Sequence, residues 1–424
     1  MGQILSYMKT KFVFAVVVLM HARLFAGDSQ DLVLHEWGTF TSVQGADGIQ
    51  LEWNPLVTTE LPKFVYDCGR PNGNSRAARF ADYSGKGAFV TLQRMETPVI
   101  YFYSGREQDV DVSVKFPQGF VTEWFPQVAK YESHQMRWDR LHLLPREQNA
   151  ALTKALPVDA SGSHYFAARE TDSDFILAKN DSGQKQISEH EKFLFYRGVG
   201  NFRAPLQVTL AGDEETVVMK NMGAEPLSHL FILSVRHGKG KYLYVEQLPA
   251  GREQSVKLQL QRGQSDLSDV RARLGQEMAA GLVREGLFDR EAAAMVKTWN
   301  DSWFGEEGLR VLYTLPRPWT DRILPLTISP MPSAVVRVIV GRAELITPTM
   351  EWALMKQVAQ YSQDSSQAKE QAIAGTRATG LGRFTEPTIR RLVGKMPSRE
   401  FSQTAWNFLE AVGKPADRKL ALAK

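Results

Sequence analysis

The chain has 424 residues, of which 43% are hydrophobic and 23% are charged, a balance that excludes a disordered chain and a polytopic membrane protein. Its formal net charge is +4, but 48 basic and 47 acidic residues remain when residues 1–26 are left out. Nucleic-acid-binding domains are usually strongly basic, because phosphate neutralisation supplies most of their affinity. The near balance of charge therefore argues against a nucleic-acid partner.

Residues 1–26 are predicted to be an export signal. Lys9 and Lys11 precede an apolar run over 12–20, and polar residues follow Ala26. The nine apolar residues of this run are too few to span a bilayer. We expect cleavage after Ala26 and a periplasmic or extracellular product without integral membrane association, the alternative being an N-terminal core helix. Because Cys68 is the only cysteine, no intramolecular disulfide can form.

From about residue 32 to residue 261 the hydrophobic pattern is mostly that of β-strands. Valines alternate with polar residues over 109–116, which predicts a strand with one buried and one solvated face. Residues 98–103 are apolar throughout, as expected of a central strand covered on both faces. The turn-forming residues 104–106 predict that these two strands make a hairpin.

Five further strand candidates, separated by turn signals, lie between residues 206 and 261. Short strands at this spacing predict a β-sandwich of the immunoglobulin-like or fibronectin-like kind. The candidates are residues 206–210, 216–221, 229–236, 241–246 and 254–261.

After Ser265 the period changes to that of helices. Apolar residues spaced four apart from Val270 to Leu282 predict one helix, and a second helix after Asp289 completes a helical hairpin. The later elements are predicted to be strands over 310–315 and 334–340, a long helix opened by Thr347-Pro348, and shorter helices after Thr385 and Ser398.

These patterns predict an α+β fold, in which a β-rich region and a β-sandwich precede a helical hairpin, short strands and C-terminal helices. The predicted divisions are a signal peptide over 1–26, a β-rich domain over 27–190, a β-sandwich domain over 191–264, an α+β segment over 265–345 and a helical region over 346–424.

The sequence lacks the motifs that would fix a reaction class, including zinc-protease, nucleophile-elbow, phosphate-loop, dinucleotide and calcium-loop motifs. Its histidines also lack the close spacing of zinc sites, so we predict no metal and no cofactor. Cys68 has two interpretations: a nucleophile assisted by His35 and Arg70, or an inert buried thiol.

If the protein is an enzyme, His35, Glu96 and Glu123 are the candidate catalytic residues. In a strand, His35 and Trp37 share one face and Glu36 takes the other, so a His–Glu dyad would need its carboxylate from elsewhere. Glu96 stands just before a core strand, where burial is costly without a purpose or a partner. The alternative is that these side chains only satisfy backbone groups and neighbours, as structural residues.

The segment over 193–202 combines aromatic residues, one arginine and two glycines. It has two interpretations: a ligand-binding loop, or a strand that leads into a bulge.

Four segments resemble a family of exported bacterial proteins: HEWGTFT at 35–41, METPVIYFY at 95–103, FLFYRGVGNF at 193–202 and VGRAEL at 340–345. The resemblance spans most of the mature chain. It implies export and a single recurring architecture, and it transfers no activity, catalytic residue or cofactor to these positions.

Two functions are predicted from these observations. The first is a non-catalytic binding or scaffolding protein of the cell envelope, with a protein or carbohydrate ligand. The alternative is a secreted hydrolase with a His/Glu site in the N-terminal β-rich domain. Carboxylates and histidines with shifted pKa values in one concave pocket would favour the enzyme, and a convex surface with an apolar patch would favour the binding protein.

Overall fold

The computed structural model describes residues 32–55, 61–69, 90–159, 162–181, 186–260 and 262–413. The predicted signal peptide, its cleavage site and Arg70 lie outside these residues. The strands are β1 (Val33–Gly45), β2 (Gln50–Leu51), β3 (Tyr66–Asp67), β4 (Gln93–Tyr103), β5 (Gln108–Lys115), β6 (Gly119–Phe125), β7 (Lys130–Glu132), β8 (Gln135–Leu144), β9 (Phe175–Asp181), β10 (Gln186–Glu191), β11 (Leu194–Gly200), β12 (Leu206–Leu210), β13 (Thr216–Asn221), β14 (Leu227–Arg236), β15 (Lys239–Leu248), β16 (Glu253–Lys257), β17 (Ser265–Asp266), β18 (Gly308–Leu315), β19 (Leu326–Ser329) and β20 (Ala334–Ile346).

The helices lie mainly in the C-terminal part of the chain. They are α1 (Arg146–Asn149), α2 (Leu267–Arg284), α3 (Asp289–Asn300), α4 (Arg317–Ile323), α5 (Pro348–Tyr361), α6 (Ser366–Gly375), α7 (Thr385–Lys395) and α8 (Arg399–Gly413). Short 3-10 helices occur at Ala150–Ala155, His164–Arg169, Thr376–Thr379 and Gly382–Phe384, and a π-helical turn at Asp301–Gly305 follows α3. None of the helices in the described part of the chain is long and apolar enough to cross a membrane.

The predicted α+β fold is confirmed, and an 11-stranded sheet, which we call the central sheet, organises it. Its order is β17-β15-β14-β18-β20-β1-β4-β11-β6-β3, with β2 added beside β1. The first described strand lies in the middle, where β1 pairs in parallel with β20 and antiparallel with β4. Strands from both sides of residues 190 and 264 belong to this sheet, so the predicted domain boundaries fall within it.

Two smaller sheets pack on the same hydrophobic core. One has six strands, in the order β10-β9-β8-β5-β19 with β7 beside β8, and the other consists of β12, β13 and β16. Trp124 from the central sheet, Trp138 from the six-stranded sheet and Leu206 from the three-stranded sheet all belong to one buried cluster. The sheets therefore pack in a β-sandwich-like manner, and the strands of 191–264 are shared between the central and three-stranded sheets.

The hairpin predicted at 104–106 is wrong. Strand β4 lies inside the central sheet, while β5 pairs with β8 and β19 in the six-stranded sheet. The sequence explains the difference, because residues 98–103 of β4 are apolar on both faces and need cover on both sides, whereas β5 has one solvated face. The turn carries the chain from one sheet to the other.

The alternation over 109–116 yields a testable contrast between neighbouring residues. Val112 is fully buried, whereas Asp111 is exposed and its carboxylate accepts a hydrogen bond from the backbone N–H of Arg140 at 2.7 Å. We expect Val112→Asp to lower the free energy of unfolding by about 3 kcal/mol or more, because it buries an unpaired carboxylate. Asp111→Val should lower it by only about 1 kcal/mol, and urea unfolding of both variants would measure the difference. Equal losses would contradict the assigned faces of β5.

The C-terminal helices form a second core at one end of the central sheet. Val43 of β1 and Ile346 of β20 pack there with Leu354 of α5 and Phe408 of α8. As predicted, a helix begins at Pro348, and the Thr347 side chain accepts a hydrogen bond from the N–H of its first turn. This arrangement places the C-terminal helical region beside the strands that carry the site described next.

An arginine-lined candidate site

A cavity of about 940 Å³ lies where the central sheet, the α3 helix and the C-terminal helical region meet. We call it the arginine cavity, after Arg94, Arg197 and Arg383, which line it together with His164 and Trp299. Strands β4 and β11 supply the first two arginines, and the 3-10 helix Gly382–Phe384 supplies the third. These residues are distant in sequence and converge only through the fold.

An irregularity in β4 positions the acidic residue of the cavity, Glu96. The register between β1 and β4 shifts at this point, and Thr97 has a φ of 52°. A β-branched residue in the left-handed region is strained, and such strain is often found at functional sites. Gly38 of β1 permits the close approach, because a Cβ there would lie 2.9 Å from the Cα of Pro98.

Arg197 is the most unusual side chain of the cavity. It lies on β11 next to register shifts with both β4 and β6, and it is 4% exposed. None of the residues that the structure describes accepts a hydrogen bond from its Nε or Nη1. A carboxylate oxygen of Glu123 lies 3.9 Å from Nη1, an ion-pair distance too long for a hydrogen bond. A buried guanidinium in this state is destabilising until an anion provides acceptors.

Glu96 is held in its ionised form by the arginines around it. Its carboxylate is 3.1 Å from Arg94 Nε and 3.0 Å from Arg383 Nη1, and it accepts the Thr41 hydroxyl at 2.8 Å. Burial opposes ionisation, but the charges of Arg383, Arg94 and Arg197 outweigh it and hold the pKa of Glu96 well below its usual range. Glu96 therefore orients arginines and has no proton to donate at neutral pH.

Further nitrogen atoms of the cavity residues also lack hydrogen-bond partners, while a carboxylate oxygen of Glu306 lies at an ion-pair distance of 3.7 Å from Arg383 Nε. Arg383 Nε and Nη2, Trp299 Nε1 and His164 Nε2 accept or donate no hydrogen bond among the described residues. The His164 and Trp299 rings lie 5.1 Å apart. Burial, together with the nearby charge of Arg197, lowers the pKa of His164 to about 4. His164 is therefore neutral at pH 7, and the remaining unpartnered groups are donors suited to an anion.

The low pKa of His164 predicts a pH dependence of stability. In the unfolded chain the imidazole regains an ordinary pKa of about 6.5, so between about pH 6.5 and pH 4 the unfolded state binds the extra proton. We expect the free energy of unfolding to be unaffected by this group above pH 7 and to fall by about 1–3 kcal/mol towards pH 4. Urea unfolding at pH 7.5 and pH 4.5 should show a smaller difference for His164→Gln than for the unchanged chain. An equal difference in both would contradict the assignment.

The structure places the predicted residue His35 away from this cavity. His35 Nδ1 lies 2.7 Å from Glu291 Oε2, and this oxygen also accepts the Phe288 N–H at 2.8 Å. The other carboxylate oxygen of Glu291 accepts the Tyr103 hydroxyl at 2.7 Å. As the sequence analysis required, the carboxylate that pairs with His35 comes from a distant part of the chain, Glu291. That carboxylate is buried and fully hydrogen-bonded at the start of α3, so the pair joins this helix to β1.

The other two predicted residues, Glu96 and Glu123, lie on either side of Arg197. Strands β4 and β6 flank β11 in the central sheet, and Glu123 of β6 also accepts the hydroxyl of Thr122. Of the three predicted residues, Glu96 lines the cavity, Glu123 lies behind Arg197 without lining it, and His35 lies elsewhere. Arg197, the common neighbour of Glu96 and Glu123, stands in the segment over 193–202, where the sequence suggested either a ligand-binding loop or a strand with a bulge.

The structure weighs against Cys68 as a nucleophile. Burial, reinforced by Glu123, raises the pKa of the Cys68 thiol to about 12, so the thiolate that a nucleophile requires is scarce at neutral pH. Within the described ranges, no group of three or more His, Cys, Asp or Glu side chains is arranged to hold a metal ion.

The fold and the site together define an α+β protein with a cavity lined by arginines and acidic residues, in which Arg94 and Arg197 are buried. No protein-family model and no curated protein matches the chain. Similar solved structures include the yeast delta-COP-I mu-homology domain, alone and complexed with a Dsl1 WxWxV peptide. Each is 5% identical, with 76% of this chain and 100% of that chain covered and a TM-score of 0.29. A likeness at this score carries no argument about function.

Proposed function

We propose that this chain is an exported, non-catalytic binding protein of the cell envelope whose arginine cavity takes a small organic anion. The observation that carries the proposal is Arg197, a buried guanidinium with unpartnered donors on the wall of a cavity. Guanidinium groups bind carboxylates and tetrahedral oxyanions through charge-assisted hydrogen bonds. The volume of about 940 Å³ suits an organic molecule rather than a bare inorganic ion.

The walls of the cavity support the organic part of this ligand. Phe166, Trp299 and Phe384 line it beside the arginines. Binding sites commonly combine an apolar surface that provides affinity with a few polar groups that fix orientation. An aromatic acid is therefore a suitable probe of the site, and an acidic sugar or an acidic side chain of a protein would present the same anionic group.

The same geometry weighs against the hydrolase alternative. A general acid or base needs a pKa near the working pH and a substrate within hydrogen-bond reach. Glu96 is ionised and its oxygens are engaged by Arg94, Arg383 and Thr41. His35 is not among the residues that line the cavity. The export part of the proposal depends on residues 1–26, where basic residues precede an apolar run.

Calorimetric titration of the purified protein with benzoate, phenyl sulfate and phenyl phosphate tests the proposal, with neutral benzamide as the matched control ligand. We expect at least one anion to bind and benzamide not to bind. Arg197→Met should weaken that binding at least 100-fold. Arg322→Met should leave it unchanged, because Arg322 lies on the surface in an ion pair with Glu225.

A second variant keeps this test informative if Arg197→Met unfolds. The double variant Arg197→Met/Glu123→Gln also removes the buried carboxylate charge that the single change leaves behind, and it should fold and fail to bind. Absence of binding for all three anions, or equal binding by these variants and the unchanged chain, would overturn the proposal.

A further inference from the structure

The surroundings of Arg197 bear on the charge of the ligand, given the proposed anion site. Glu123 is 7% exposed, and its carboxylate lies 3.9 Å from Arg197 Nη1. The Thr122 hydroxyl donates to this carboxylate. Glu123 therefore adds a fixed negative charge behind the guanidinium without occupying its hydrogen-bond donors.

A buried charge at this distance affects any anion that binds to Arg197. The charges of the side chains that line the cavity balance, and Glu123, behind Arg197, adds one negative charge in excess. The basic residues are Arg94, Arg197, Lys297, Arg377 and Arg383, and the acidic residues are Glu96, Glu170, Asp301, Glu306 and Glu307. Coulombic energies between buried charges are several-fold larger than in water, and repulsion by Glu123 grows in proportion to the charge of the ligand. An anion with two negative charges is repelled twice as strongly by Glu123 as one with a single charge.

We infer that Glu123 is a specificity-determining residue, which makes the arginine cavity selective for singly charged organic anions over doubly charged ones. This inference rests on the proposed function and extends it to the class of ligand. Carboxylates and sulfate esters carry one negative charge at neutral pH, whereas a phosphate monoester carries nearly two above its second pKa of about 6. Glu123 thus acts against phosphate monoesters by repulsion rather than by shape, a form of selection against the wrong ligand.

Phenyl sulfate and phenyl phosphate provide a matched pair of probes, since they share size and tetrahedral shape and differ mainly in charge at pH 8. We expect the unchanged chain to bind phenyl sulfate at least tenfold more tightly than phenyl phosphate in calorimetric titrations. Benzoate, which is singly charged and planar, distinguishes a carboxylate ligand from a sulfate ester. Glu123→Gln keeps the size of the side chain and should reduce the sulfate-to-phosphate affinity ratio at least tenfold.

Two controls separate the charge of Glu123 from its packing. Glu123→Asp keeps the charge and should keep the preference for phenyl sulfate, whereas Glu225→Gln, on the surface, should leave the ratio unchanged. If the unchanged chain binds phenyl sulfate and phenyl phosphate with equal affinity, that result alone overturns the inference. A Glu123→Gln variant with the same sulfate-to-phosphate affinity ratio as the unchanged chain would also overturn it. In both of these outcomes anion binding, and hence the proposed function, still stands, while absence of all binding overturns the proposed function itself.

Discussion

Replacement of Glu344 by glutamine is expected to lower the free energy of unfolding by about 3–5 kcal/mol. Glu344 lies on β20 and shares its carboxylate between Arg310 Nε at 3.0 Å and Arg342 Nη2 at 2.7 Å. Both arginines are almost completely buried. Without the Glu344 charge, buried Arg310 keeps only backbone acceptors, while Arg342 keeps the carboxylate of Glu306 at 2.6 Å. Glutamine offers one carbonyl oxygen and no charge to the two guanidinium groups.

The measurement is urea unfolding of the variant beside a matched surface control. Glu225→Gln removes the partner of exposed Arg322, and we expect a loss below about 1 kcal/mol, as is usual for surface ion pairs. The other bonds of Arg342, to Glu306 and Ser302, moderate the effect of Glu344→Gln without replacing the lost charge. Equal losses for the two variants would contradict the structural importance assigned to Glu344.

Much of the local structure could be predicted from the sequence, because periodicity reports which faces of a segment are buried. The predicted strands over 206–210 and 216–221 coincide with β12 and β13. The apolar residues spaced four apart along α2 are buried, as predicted: Val270, Leu274, Met278 and Leu282. Sheet membership could not be predicted in this way. Strands β1 and β20 pair although about 300 residues separate them, and no local pattern specifies such a partner.

The candidate site was predictable only in part, for a related reason. Glu96 and Glu123 are polar residues in apolar surroundings, and this contrast could be recognised in the sequence. Arg94 and Arg383 have ordinary neighbours, and only the fold brings them, 289 positions apart, to the same carboxylate oxygen of Glu96. Arg197 carried the one available signal, as a charged residue within an aromatic segment.

The double replacement Arg197→Met/Glu123→Gln is expected to raise the free energy of unfolding of the ligand-free protein by about 1–4 kcal/mol, while it abolishes anion binding. Arg197 and Glu123 are both buried, yet 3.9 Å separates their charged groups and the guanidinium lacks hydrogen bonds from Nε and Nη1 to any described residue. The attraction between them therefore offsets little of the free energy lost when both charges leave water. Apolar methionine and neutral glutamine avoid that loss and preserve most of the side-chain volume.

The single variants separate this effect from ordinary repacking. Arg197→Met leaves Glu123 buried and unpaired, and Glu123→Gln leaves Arg197 in the same condition, so each should be less stable than the double variant. This result would be the reverse of the one expected at Glu344, whose carboxylate has short contacts to both arginines. Binding groups that await a ligand commonly reduce stability in its absence, because their polar partners belong to the ligand. Urea unfolding of the three variants without ligand measures the effect, and a double variant less stable than the unchanged chain would mean that Arg197 and Glu123 stabilise the fold.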